Sequence, residues 1–143
     1  MQDNDRIGAW LAITENKIER YGNRLLKDTD ITVMQLRVLK YLQSHPDEAQ
    51  IADLSEFFDV SHTSMVHVVN VLEDKGYVVR KPIRRSRGKK LILTDAGRKL
   101  AEENEDRIDL LEKTIMKDIS KTDKEELLKL LMKVNENLDK ELK

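Results

Sequence analysis

The stretch that most limits what this chain can become is VSHTSMVHVVNVLEDKGYVVRKPIRRSRGKKLILT, residues 60–94. Met65, Val68, Val69 and Leu72 recur there at spacings of three and four, which stacks them on one face and predicts a helix over 61–75. Gly76 follows, a residue that accepts the positive φ found just past many helix ends. Two β-rich runs, 77–81 and 90–93, flank the polar cationic segment PIRRSRGK, and Leu91 and Leu93 share one face of the second run. Helix, glycine, strand, basic loop and strand together predict a winged helix, with the wing over 82–89.

Charge makes the same point without any assumption about fold. Residues 80–99 hold nine Lys and Arg against the single Asp95, a formal charge of +8, and because the whole chain carries -1 the remainder carries -9. Cations gathered on one hairpin suit a polyanion, since each phosphate they neutralise releases condensed counterions.

Upstream of this stretch the chain reads as helical. Ile7, Leu11, Ile18, Tyr21 and Leu25 give residues 5–26 a narrow apolar seam, with Thr14 where one apolar residue is missing. Thr32 and Gln35 form a capping box for a second helix, whose inner face is Val33, Leu36, Leu39 and Leu42 and whose end is marked by Ser44, His45 and Pro46. Ile51, Leu54 and Phe58 predict a short third helix closing near Asp59, so the third and fourth helices form a helix-turn-helix. Downstream, Thr94 is expected to cap one long helix carrying Leu100, Ile108, Leu111 and Ile115. Thr122 with Glu125 is expected to open a last helix with Leu127, Leu131, Val134, Leu138 and Leu142 along it. Three long helices with thin apolar seams exceed what one winged helix needs as cover, and a dimer is the economical explanation. The expected fold is mainly α with a small β-hairpin wing: one domain over 1–143, with a winged helix-turn-helix lobe at 30–95 and a helical dimerisation lobe from 1–29 and 96–143.

Ser61 is the expected N-cap of the fourth helix. With the apolar residues turned inward, its start and outer face present His62, Thr63, Ser64, Val66, His67 and Asn70. Thr63 and Asn70 can donate and accept, Asn70 can pair bidentately with adenine, and Val66 can meet a thymine methyl. Arg84, Arg85 and Lys89 are candidate phosphate contacts from the wing, beside Arg87.

The motifs resemble those of the MarR (multiple-antibiotic-resistance) family of transcriptional regulators. LSEFFDVSHTSMVHVVNVLEDKGYVVRK is similar to the family's helix, VS turn, recognition helix, LExxG and strand, and RGKKLILTDAG is similar to its wing end and LTxxG. The resemblance spans nearly the whole chain. It implies a homodimer with two winged helices spaced for a pseudo-palindromic operator, often with a small-molecule effector that changes their spacing, and it puts Arg87 in the minor groove. Two positions depart from the family pattern. Arg85 stands where the family commonly has an Asp two residues before the wing arginine, and His67 and Val71 replace arginines common in the recognition helix. The architecture therefore carries over and the operator sequence does not.

Other functions find less support. The chain has no cysteine, which excludes disulfides, thiolate metal sites and thiol redox sensing. His62 and His67 are five apart, not the i, i+4 of helical ligands, and His45 falls in a turn, so no metal or other cofactor is expected. No nucleophile with a base and an orienting partner is recognisable, and no GxxxxGK loop, so the chain is not expected to be an enzyme. Trp10 reads as a packing residue and Met34 and Met65 as core filler, which leaves any effector site unassigned. MQDNDRIGAW has neither a basic start nor an apolar core, and no run approaches the ~18 apolar residues of a membrane span, so a cytoplasmic protein without membrane contact is expected. The expected function is that of a sequence-specific regulator of double-stranded DNA, most simply a repressor. The alternative is a winged-helix protein-interaction module whose basic hairpin binds an acidic partner.

Overall fold

The computed structural model describes residues 5–46 and 49–143, so the first four residues of the expected dimerisation lobe lie outside the described residues. The chain order is α1 (Ile7–Leu25), α2 (Val33–Ser44), α3 (Ile51–Phe58), α4 (His62–Asp74), β1 (Val78–Pro82), β2 (Lys89–Leu93), α5 (Asp95–Glu103), α6 (Glu105–Ile115) and α7 (Lys121–Leu142). The two strands pair antiparallel, Val78 opposite Leu93 and Pro82 opposite Lys89.

The core lies in the middle of the chain. Leu36, Val38 and Leu39 of α2, Leu54 of α3, Met65, Val69 and Leu72 of α4, and Val78 and Leu91 of the hairpin form one buried cluster. The positions expected to face inward on α2 and α4 do so, with Val68 half-buried. Thr32 and Gln35 make the expected capping box in both directions. The hairpin is anchored beyond its own ladder, because the Leu91 amide donates to the Ala49 carbonyl at 2.7 Å. The strand of the wing is thereby tied to the chain that leads into α3.

Two helices of the helix-turn-helix end in the same way. After α3, Asp59 takes φ 52°, its amide donates to Glu56 O and that of Val60 to Ser55 O. After α4, Gly76 takes φ 81°, its amide donates to Glu73 O and that of Tyr77 to Leu72 O. Both are left-handed stops that satisfy orphan carbonyls. The second stop is locked by Thr94. Its hydroxyl donates to Gly76 O at 2.7 Å and accepts from the Gly97 amide at 3.0 Å, capping α5. Its own amide donates to Tyr77 O at 3.1 Å. Gly97 is needed at this corner, because a Cβ there would stand 2.1 Å from Tyr77 O.

Three expectations are corrected. The single helix from Thr94 to Ile115 is two, α5 and α6, broken at Asn104 (φ −107°, ψ 7°). Asn104 is buried, and its side-chain amide donates to Leu100 O at 2.8 Å, a local bond that competes with the helical ladder. The last helix is capped by Ser120, whose hydroxyl accepts from the Asp123 amide, so Thr122 lies inside α7 instead of opening it. Ser120 wins because it is extended (φ −66°, ψ 160°) directly after the chain turns at Asp118 (φ 60°). The strands are Val78–Pro82 and Lys89–Leu93, the first displaced by one residue from its expected run and the second begun one residue earlier, because the Pro82–Lys89 pair extends the ladder into the expected loop.

Two ion pairs join the winged helix and its flank to α6. Arg107 donates through both terminal nitrogens to Asp28, and Lys40 Nζ lies 3.1 Å from Glu105. The Arg107 hydrogen bond holds the Asp28 carboxyl below its ordinary value. The sign follows: a depressed carboxyl stabilises the fold above its unfolded value and loses that contribution as pH falls through the folded one. Replacing Arg107 by Gln should therefore lower stability at neutral pH and leave it unchanged in strong acid, as read by denaturant midpoints across that range. Gly97→Ala should cost about 1–3 kcal/mol, since the opposing atom is a hydrogen-bonded backbone carbonyl that cannot swing aside. A midpoint equal to that of the parent protein would show that the corner yields.

Candidate nucleic-acid interface

Helix α4 divides into two faces. Met65, Val69 and Leu72 are fully buried, and Thr63, His67 and Asn70 are exposed on the opposite side with Val66 half-buried among them. The helix starts on Ser61, whose hydroxyl accepts from the Ser64 amide at 3.1 Å and donates to Ser64 Oγ at 2.9 Å. Both serine hydroxyls are thus engaged in the cap, while His62 and Thr63 stand exposed in the first turn.

The wing presents its cations without local neutralisation. Arg84, Arg85, Arg87 and Lys89 are exposed, and among the described residues no carboxylate lies within ion-pair distance of them. The loop between the strands is closed by bonds from the Ile83 amide to Gly88 O at 3.2 Å and from the Ser86 amide to Ile83 O at 3.1 Å. Within that turn Arg85 takes φ 64°, a conformation that strains a side chain with a Cβ. The position that departs from the family pattern is therefore also the strained tip of the wing. Lys89 is not in the loop but opens β2, opposite Pro82.

The start of α4, the start of α3 and the wing border a common cleft. His62 of α4, Arg80 of β1, and Arg87 and Lys89 at the wing line it, and its volume is about 350 Å³. A helix face that can read base edges and a hairpin that can hold phosphates are thus presented side by side.

Arg80 was not among the residues singled out as base or phosphate contacts. It donates through Nη2 to Asn70 Oδ1, and its Nε lies 3.4 Å from Glu73 Oε2. Asn70 is consequently not the free bidentate amide that its type suggested, because its acceptor is already engaged. Sequence spacing holds no trace of this contact, which depends on how closely β1 returns beside α4.

The other expected roles find these places. His45 stacks on Tyr41 with ring centroids 4.0 Å apart and donates from Nδ1 to Tyr41 O at 2.9 Å. His62 and His67 stand on α4, and among the described residues no group of three His, Asp or Glu is placed to hold a metal ion. Trp10 is 42% exposed, Met34 half-buried and Met65 buried. No helix among the described residues is long and apolar enough to cross a membrane.

Comparison with known proteins matches residues 29–87 to the family model described as MarR family. That segment is similar to the MarR family. The same fold extends beyond the matched segment. The MepR–DNA complex of S. aureus superposes with a TM-score of 0.88 at 22% identity, over 93% of this chain and 98% of that one. A MarR-family transcriptional regulator from Rhodococcus sp. RHA1 gives 0.81 at 23% identity, over 92% and 94% of the two chains. CouR from Rhodococcus jostii RHA1, solved with p-coumaroyl-CoA, gives 0.79 at 22% identity, over 92% of each. The chain therefore has the fold of MarR-family transcriptional regulators, within which one structure holds DNA and another a small molecule.

Helix α4 depends on its cap. Ser61→Ala should destabilise the protein by about 1 kcal/mol and Ser61→Gly by only a few tenths, because glycine keeps the extended backbone of the cap. Equal losses in the two denaturation curves would count against the cap as the source of the effect.

Proposed function

We propose that this chain is a sequence-specific, double-stranded DNA-binding transcriptional regulator that acts as a homodimer on a pseudo-palindromic operator. The observation that carries the reading is the exposed outer face of α4 beside the unpaired cations of the wing, with His62 at the helix start sharing one cleft with Arg87 and Lys89. Helix α4 enters the major groove with Thr63, Val66, His67 and Asn70 toward base edges, and His62, Ser61 and Ser64 near the backbone at its start. Arg84, Arg85 and Lys89 hold phosphates, and Arg87 enters the flanking minor groove. Binding across a promoter makes repression the simplest outcome.

The dimer reading rests on apolar surface that the single chain leaves uncovered. Helix α7 buries none of its residues, although Leu127, Leu128, Leu130, Met132, Leu138 and Leu142 all lie on it. Ile7, Trp10, Leu11 and Ile13 of α1 and Leu110 of α6 are likewise exposed. Burying one such side chain contributes about 1.5–3 kcal/mol, so a second copy joining these helices has a large driving force. Residues 1–29 and 96–143 then form the dimerisation lobe and 30–95 the DNA-binding lobe. A small-molecule effector, of which CouR provides an instance among proteins of this fold, regulates such a dimer only by binding one spacing of the two lobes better than another.

Two measurements test this. The purified protein, incubated with sheared genomic DNA from its host, should enrich a short inverted repeat near a promoter. Recovery of bulk DNA alone at physiological salt would instead favour the basic hairpin as a docking surface for an acidic protein. Arg87→Ala should weaken binding to specific and random duplexes alike and lower the salt slope by about 0.9, whereas Asn70→Ala should change base preference and leave the slope intact. Sedimentation should give a dimer for the parent protein and a monomer after Leu127→Glu with Leu138→Glu; a parent monomer at micromolar concentration would remove the dimer.

A further inference from the structure

The contact between Arg80 and Asn70 constrains what the recognition helix can read. A guanidinium has donors and no acceptor, so an amide that bonds to it can present only its oxygen. The orientation of the Asn70 side chain is therefore fixed by chemistry: Oδ1 toward Arg80, Nδ2 away from it. Arg80 is in turn held by Glu73, one helical turn beyond Asn70 on the same side of α4, with Nε 3.4 Å from Oε2. That nitrogen is buried and makes no hydrogen bond among the described residues, so the carboxylate is its electrostatic partner. Glu73, Arg80 and Asn70 thus form a chain of contacts from acid to guanidinium to amide along one side of α4.

Bidentate recognition of adenine needs both edges of an asparagine amide, the oxygen for N6–H2 and the nitrogen for N7. With the oxygen turned toward Arg80 and one of its two lone pairs taken, the amide directs its two N–H donors outward and its remaining acceptor away from an exocyclic amino group. The major-groove edges that suit it carry acceptors and no amino donor, guanine with O6 and N7 and thymine with O4, and of these guanine alone offers two acceptors. Cytosine, which offers its N4 amino group there, is the least suited.

We propose that Arg80 is a specificity-positioning residue: by engaging the Asn70 oxygen it turns the amide into a donor-only reader that selects guanine and rejects adenine. The proposal rests on the reading that α4 lies in the major groove of an operator. Arg80 also neutralises Glu73 beside the DNA, so removing it alone would expose a carboxylate to the phosphates and weaken all binding at once. The informative variant is Arg80→Met combined with Glu73→Gln, which keeps the net charge and frees the Asn70 amide to rotate.

The experiment is selection from a randomised duplex library by the full-length protein, with thermal melting of each variant as a folding control. The parent protein should select guanine at one position in each half-site. Arg80→Met with Glu73→Gln should shift that one position toward adenine by roughly five- to a hundredfold, the range of one bidentate pair, with the salt slope unchanged. Arg80→Lys, which still donates to the amide oxygen, should retain guanine. Adding Asn70→Ala to the double variant should abolish the shift. An unchanged base preference in the double variant, or a shift that persists without Asn70, would overturn the assignment to Arg80 while leaving DNA recognition standing. If the parent protein selects no sequence at all, the DNA-binding reading fails and the role of Arg80 falls with it. Should the double variant melt below the assay temperature, Arg80→Gln combined with Glu73→Gln carries the same test, because the new amide turns either edge to Asn70 and must relax the discrimination between guanine and adenine.

Discussion

A hairpin can extend the reach of a recognition helix only if it leaves that helix in one fixed direction, and here the direction is set where Gly76, Tyr77, Thr94 and Gly97 meet. The left-handed Gly76 turns the chain out of α4, and the Thr94 side chain takes up its carbonyl while the Thr94 amide takes up that of Tyr77. Gly97 then lets α5 pass against the Tyr77 carbonyl where a Cβ could not fit. One threonine and two glycines therefore connect the end of the recognition helix, both strands of the wing and the helix that leads away from it. The Ala49–Leu91 bond fixes the other side of the hairpin. Between these two anchors the base of the wing is held on both sides, and its tip lies beyond them.

That division explains how charge is spread along the basic segment. Its formal +8 is not uniformly available. Arg80 is engaged with Glu73 and Asn70, Arg98 with Asp95 and Lys99 with Glu103, all near the anchored base. The cations toward the tip have no such partners among the described residues. Paired cations near the base orient the structure, and unpaired ones at the tip are free to exchange counterions for phosphates. The strained φ of Arg85 belongs to the second group, where a glycine would relieve the backbone but remove a charge.

Much of this was legible in the sequence. The spacing of Met65, Val69 and Leu72 fixed the inner face of α4, and the capping residues Thr32, Ser61 and Thr94 marked three helix starts. These are local signals, written within a few residues of the structure they produce. The Asn104 break was missed because Leu100, Ile108, Leu111 and Ile115 keep a helical spacing across it, and periodicity is blind to one side chain bonding to its own helix. The start of α7 was misplaced because Ser120 and Thr122 are each followed three residues later by an acid, and only the turn at Asp118 chooses between them. The Arg80–Asn70 contact was out of reach for a different reason. Both residues were visible as types, but their meeting depends on the angle at which β1 leaves α4, which no spacing encodes.

The same distinction governs how the two parts of the chain can communicate. The winged helix is bound together by a continuous buried core, whereas α1 adds only Gly22 to the buried set and α6 only Leu111. Between these regions the polar ties among the described residues are the bond from the Val33 amide to Asn23 Oδ1 and the ion pairs Asp28–Arg107 and Lys40–Glu105, whose carboxylates are exposed to competing water. A lobe with a tight interior joined to its flanking helices by soft contacts moves as a body before it deforms. The break at Asn104 lies beside both ion pairs, between α5, which is tied to the wing through Thr94 and Gly97, and α6, which carries Glu105 and Arg107. In the proposed dimer, a change in the spacing of the two lobes would therefore need no change within either winged helix.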